Sequence, residues 1–199
     1  NNAANEGGGI YGDTISSLAI NQTIISHCHA RTSNGGGIFL QKTSLSLIGS
    51  TIKNCESSNR GGALRLTNSK DASLIENCVI RSNTAAYGGG GIDGDDISSL
   101  TMINTFISDC NGRADSGGGM FLGQTKLFMT FTTVENCKSE IGGGLSLYNS
   151  KKNSYIKNCV LRNNTATGEG GGGLLVKTAQ DFLILNSTFE HNSASNGNG

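Results

Sequence analysis

The sequence predicts an all-β protein, a right-handed parallel β-helix of about seven short coils. Three observations predict it. Glycine-rich runs recur every 25 to 29 residues, apolar residues fall into unbroken columns when those runs are aligned, and 30 glycines stand beside no proline and no tryptophan. A step of this length is too short for an independent domain and matches one turn of a solenoid, whose repeats bury apolar surface only by stacking.

The glycine runs each end in one apolar residue, at Ile10, Ile38, Leu64, Ile92, Met120, Leu145 and Leu174. Glycine at a corner repeated in every coil supplies positive φ and lets two backbones approach closely, so the runs read as corners and not as phosphate-binding loops. No GxxxxGK[ST] follows any of them. Two further apolar columns complete each coil. One runs Ile20, Leu47, Ile75, Met102, Met129, Ile156 and Ile184, and the other Ile25, Ile52, Ile80, Ile107, Val134, Leu161 and Phe189. Polar residues alternate with them, as in Ser26, Lys53, Arg81, Ser108, Glu135, Arg162 and Glu190. Alternation with period two, in segments too short for helices, indicates three half-buried strands per coil, stacked at about 4.8 Å. The duplicated unit is a triplet of coils, about 82 residues, because Cys28 to Cys110 and Cys55 to Cys137 are both 82 residues apart and Cys78 to Cys159 is 81.

Composition excludes several roles. Fifteen Lys plus Arg balance fifteen Asp plus Glu, so no net field attracts nucleic acid. No apolar run approaches the roughly 18 residues of a membrane-spanning helix. Residues 1–199 read as a single β-helix segment. Asn1 to Ile10 (NNAANEGGGI) reads like Asn163 to Leu174 (NNTATGEGGGGL), so the chain opens as though a coil preceded it. The expectation is a portion of a longer repeat chain, or a unit that self-associates end to end into a filament.

Four groups of residues are candidates for chemistry. Cys28 and Cys55 share a column in adjacent coils, as do Cys110 and Cys137, and about 4.8 Å between their Cα atoms admits either two disulfides or stacked thiols. Cys78 and Cys159 occupy a column otherwise filled by Thr and Ser and are expected to be buried thiols. His27, Cys28, His29 and His191 do not converge as metal ligands, since six coils separate His191 from the others. The acidic run Asp93, Asp95 and Asp96 does not accumulate across coils as a Ca²⁺ site would require and reads as a solvated turn. No metal or cofactor is expected.

The outward column of the first strand reads Tyr11, Phe39, Arg65, Asp93, Phe121, Ser146 and Leu175. Asp93 and Arg65 read as a surface ion pair. Tyr11, Phe39, Phe121 and Leu175 form either a contact ridge for a partner or a glycan, or a strip covered by the chain's own turns. Sequons at Asn21 (NQT), Asn163 (NNT) and Asn186 (NST) permit glycosylation in a eukaryotic secretory pathway.

GGAL at Gly61 to Leu64, with FEHN at Phe189 to Asn192, resembles the GGA[ILV] and FxxN repeats of chlamydial polymorphic outer-membrane proteins, and degenerate copies such as GGGI with IxxC run through the chain. The resemblance implies a β-helical, surface-exposed passenger with an adhesive or structural role, and it carries over no catalytic residues. The expected function is therefore that of an extracellular or cell-surface structural or adhesive protein without catalysis. The alternatives are a carbohydrate-active enzyme of the pectate-lyase-like kind, acting through Arg65 and Asp93, and a saccharide-binding module.

Overall fold

In a computed structural model, describing residues 2–3 and 6–196, the chain forms a right-handed parallel β-solenoid of seven coils. Among the described residues every strand pairing is parallel, between equivalent strands of successive coils, so the strand N–H and C=O groups of the inner coils find partners one coil away. The second coil shows the plan: its strands are Ile38–Gln41, Ser44–Ile48, Thr51–Lys53 and Glu56–Arg60. These positions build, in order, what we term sheets one, two, three and four, with seven, seven, seven and eight strands.

The three apolar columns are the core. Ile38, Leu64, Ile92, Met120 and Leu145 pair in register along sheet one and are fully buried. Leu47, Ile75, Met102, Met129 and Ile156 line sheet two, and Ile52, Ile80, Ile107, Val134 and Leu161 line sheet three, all at 0% exposure. Ile184 and Phe189, in the seventh coil, are 43% and 41% exposed because no described coil stacks upon them.

Each coil has four strands, not the three expected from the apolar columns. The inward positions of sheet four are Ala30, Ser57, Ala85, Gly112, Ser139 and Ala166, all buried, so the strand is marked by small residues and leaves no hydrophobic column. Its backbone lies against the glycine run. A Cβ on Gly62 would stand 2.6 Å from the backbone N and C of Thr84, and one on Gly36 would stand 2.6 Å from the backbone of Glu56. This close approach is why the glycine two positions before the apolar residue of each run cannot carry a side chain. The glycine before it supplies the turn, as at Gly35 (φ 63) and Gly117 (φ 76).

The other corners are built differently. Each has a left-handed residue, for example Gln22, Asn77, Asn104 and Asn158 between sheets two and three, and His27, Asn54, Asp109, Asn163 and His191 between sheets three and four. Asn recurs there because its short polar side chain tolerates that conformation. The next position is a buried hydrogen-bonding ladder. Ser50 Oγ accepts from the Thr23 N–H at 3.0 Å and donates to the Ile48 carbonyl at 3.0 Å. Asn83 Oδ1 accepts from the Cys55 N–H at 2.9 Å, while its Nδ2 donates to the Ile52 carbonyl at 3.1 Å.

Candidate functional site

Sheet one carries the strip expected to be a contact ridge, and the structure places its members unequally. Tyr11 is 43% exposed, Phe121 and Leu175 are half-buried, and Phe39 is only 5% exposed. Phe39 therefore corrects the expectation of an open ridge. Alternation along the strand aims these side chains outward, but the glycine arm preceding each strand folds back over them: a Cβ on Gly35 would stand 2.7 Å from that of Phe39. What remains is two aromatic pairs, Tyr11 with Phe39 (ring centroids 5.5 Å apart) and Phe121 with Tyr148 (5.4 Å). Lys177 Nζ sits 5.3 Å above the Tyr148 ring.

Between these pairs, Asp93 and Arg65 meet as predicted, but not at the surface. The Asp93 side chain is completely buried and that of Arg65 is 12% exposed, with one Arg65 amino group in direct contact with the carboxylate. Asp93 Oδ2 accepts from the Gly89 N–H at 3.2 Å and lies 3.6 Å from Arg60 Nη1. Arg60 in turn donates to Asp115 at 2.9 Å and lies 5.7 Å from the Phe121 ring centroid. Burial, with the charge of Arg60 nearby, pulls the Arg65 guanidinium down to about 10. Arg60 and Asp115 escaped the sequence reading because they come from sheet-four strands, outside the column of Arg65 and Asp93. Asp93 is thus no part of a solvated turn. Asp95 is half-buried, and Asp96 is exposed and 3.5 Å from Lys151. Among the described residues, no three His, Cys, Asp or Glu side chains converge to hold a metal.

The six cysteines are all buried thiols. Cys28 with Cys55, and Cys110 with Cys137, stack in register at the corner between sheets three and four, and each thiol reaches the carbonyl two residues back, at 3.4, 3.4, 3.2 and 3.2 Å respectively. Burial pushes Cys55 up to about 12, and burial beside Cys110 raises Cys137 well above the ordinary thiol range. Cys78 and Cys159 sit in the Ser/Thr column between sheets two and three.

On sheet four, a groove of about 640 Å³ is lined by His29, Arg31, Glu56, Ser57 and Arg113. In it Glu56 lies 3.5 Å from His29 Nδ1 and 3.2 Å from Arg113. His27 and His191 are exposed corner residues far from each other along the axis. Asn21 ends a sheet-two strand, and Asn163 and Asn186 stand at left-handed corners; all three are exposed. The outer face of sheet two, which the sequence reading passed over, carries Phe128 and Tyr155 with ring centroids 5.1 Å apart.

The family described as "right handed beta helix region" matches residues 48–199. A "Metabotropic glutamate receptor-like protein R" of Dictyostelium discoideum is 32% identical over 100 residues, half of this chain and 6% of that protein. A "Probable outer membrane protein pmp20" of Chlamydia pneumoniae is 28% identical over 182 residues, 78% of this chain and 10% of that protein. The chain thus spans a tenth or less of the curated relatives it matches. No solved structure matches. With three quarters of its length matched and seven parallel coils in place, the chain belongs to the right-handed β-helix family.

Proposed function

We propose that the chain is a structural or adhesive segment of an extracellular, surface-displayed protein and works without catalysis. The observation that carries this reading is the internal pairing of the acids and bases that come closest together on sheets one, three and four. Asp93 and Arg65 are buried against each other, Glu56 is held between His29 and Arg113, and Glu135 accepts from Arg162 Nε at 2.6 Å. A hydrolase or lyase needs an acid and a base open to one face of a substrate. The pectate-lyase-like alternative used Arg65 and Asp93, and a fully buried carboxylate does not reach a polysaccharide. Likeness to a protein named as an outer membrane protein supports the surface location. Adhesion, a glycan ligand and use of the three sequons belong to the same reading.

Two measurements test it. Protease shaving of intact source cells is expected to release peptides of this chain, and their protection until lysis would overturn the surface assignment. Incubation with uronic-acid and neutral polysaccharides is expected to yield no new reducing or unsaturated ends; turnover by the purified chain would overturn the absence of catalysis.

A further inference from the structure

On the outer face of sheet two, two opposite charges, Glu76 and Lys157, stand three coils apart in one column among half-buried apolar side chains. Along that face, strand register aligns Ile48, Glu76, Ile103, Thr130, Lys157 and Leu185 in one column. A parallel column holds Leu74, Thr101, Phe128, Tyr155 and Leu183. Ile48, Leu74, Ile103, Phe128 and Tyr155 are half-buried on a face that no other part of the described chain covers. Among the described residues, neither Glu76 nor Lys157 has an ion-pair partner within 4.0 Å. The remaining cation near the centre, Lys126, lies 5.0 Å from the Phe128 ring centroid.

We propose that this face is a self-recognition surface, on which a second copy of the chain packs side by side and antiparallel. The order of residues carries the proposal. A twofold axis lying in the interface, across the solenoid between the fourth and fifth coils, reverses the coil order while keeping each column opposite itself. Ile103 then meets Thr130 of the second copy, and Thr101 meets Phe128. Leu74 meets Tyr155, Ile48 meets Leu185, and Glu76 meets Lys157, the last contact occurring twice by symmetry. The column is thus self-complementary in charge as well as apolar, which an isologous contact requires. Coils two to seven face one another across that axis, and sheet-two strands of three to five residues give a face of roughly 10–17 by 29 Å, so about 600–1,000 Å² is buried in total, at or below the lower bound for a specific interface. The association is accordingly expected to be weak and reversible.

Sedimentation equilibrium of the 199-residue chain tests this. A monomer–dimer equilibrium is expected, with Glu76→Lys and Lys157→Glu each weakening it at least tenfold, on the order of one lost desolvated charge pair at each of two equivalent sites. Combining the two reversals, Glu76→Lys with Lys157→Glu, restores the pairing and is expected to restore dimerisation. Both side chains lie on the outer surface, and circular dichroism checks that each variant stays folded. A monomer at every concentration, a dimer indifferent to both single reversals, or a double variant no better than the singles would overturn the proposal. So would a monomer that uses Phe128 and Tyr155 to bind a saccharide array.

Discussion

The corner entering sheet one and the corner entering sheet four are built by opposite means. At the first, atoms are removed: Gly36, Gly62 and Gly90 lie so close to the sheet-four backbone that no Cβ fits. At the second, a side chain is added: Asn83, Asn164 or Asn192 enters the interior and accepts from the N–H of the preceding coil at 2.9 to 3.0 Å. The difference follows from what each corner must satisfy. Backbone crowding is relieved only by an empty position, whereas a buried N–H is satisfied only by an acceptor. The same column accepts Cys in four coils because its thiol fills the space and donates to a nearby carbonyl.

Substitutions can break this contrast, and the crowded corner should yield the largest effect. Gly62→Ala forces a methyl group into the backbone of Thr84 and is expected to cost about 3–5 kcal/mol, read from the urea midpoint. Asn83→Ala removes a completely buried acceptor and leaves the Cys55 N–H without a partner, at about 2–3 kcal/mol in the same assay. Asn83→Cys, a residue the column already uses, is expected to cost less than Asn83→Ala.

The thiol ladder sharpens the contrast through pH. The fold holds the Cys55 proton more tightly than the unfolded chain does, since its folded value of about 12 exceeds the ordinary 9.0. This contribution to stability is intact below pH 9 and is lost as pH rises from 9 toward 12. Urea midpoints across that window are expected to fall less steeply for Cys55→Ser than for the parent chain.

Two smaller changes test how finely each corner is tuned. Ala63, buried in the third position of its glycine run, is expected to cost about 1 kcal/mol as Ala63→Gly, because that position carries a methyl group without needing glycine's freedom. Phe131 holds a left-handed corner (φ 50) where neighbouring coils have Asn104 and Asn158, and it is 61% exposed. Phe131→Asn is expected to stabilise by about 0.5–1 kcal/mol, seen as a small rise in Tm.

Much of this architecture is legible without coordinates, because a parallel solenoid repeats each local environment once per coil. The column of Ile10, Ile38 and Leu64 announces a strand seven times over, and the Asn-rich corners announce a left-handed turn as often. Repetition fails as a guide where the marker is small size and not hydrophobicity. The column of Ala30, Ser57, Ala85 and Ser139 recurs as faithfully as the others, yet small residues of mixed polarity signal no period, and the fourth strand emerges only once its backbone is seen against the glycines.

The sequence by itself determined the coil length, the parallel stacking, three of the four sheets and the pairing of Arg65 with Asp93, since all of these follow from residues one coil apart. Only the tertiary structure decided that Phe39 and Asp93 are buried, that Arg60 and Asp115 join the same cluster, and that Glu76 and Lys157 face solvent unpaired. Those outcomes depend on where the glycine arms and the sheet-four strands lie relative to the other sheets. Side-chain alternation tells inside from outside along one strand, but it carries no information about what another part of the chain lays over the outside.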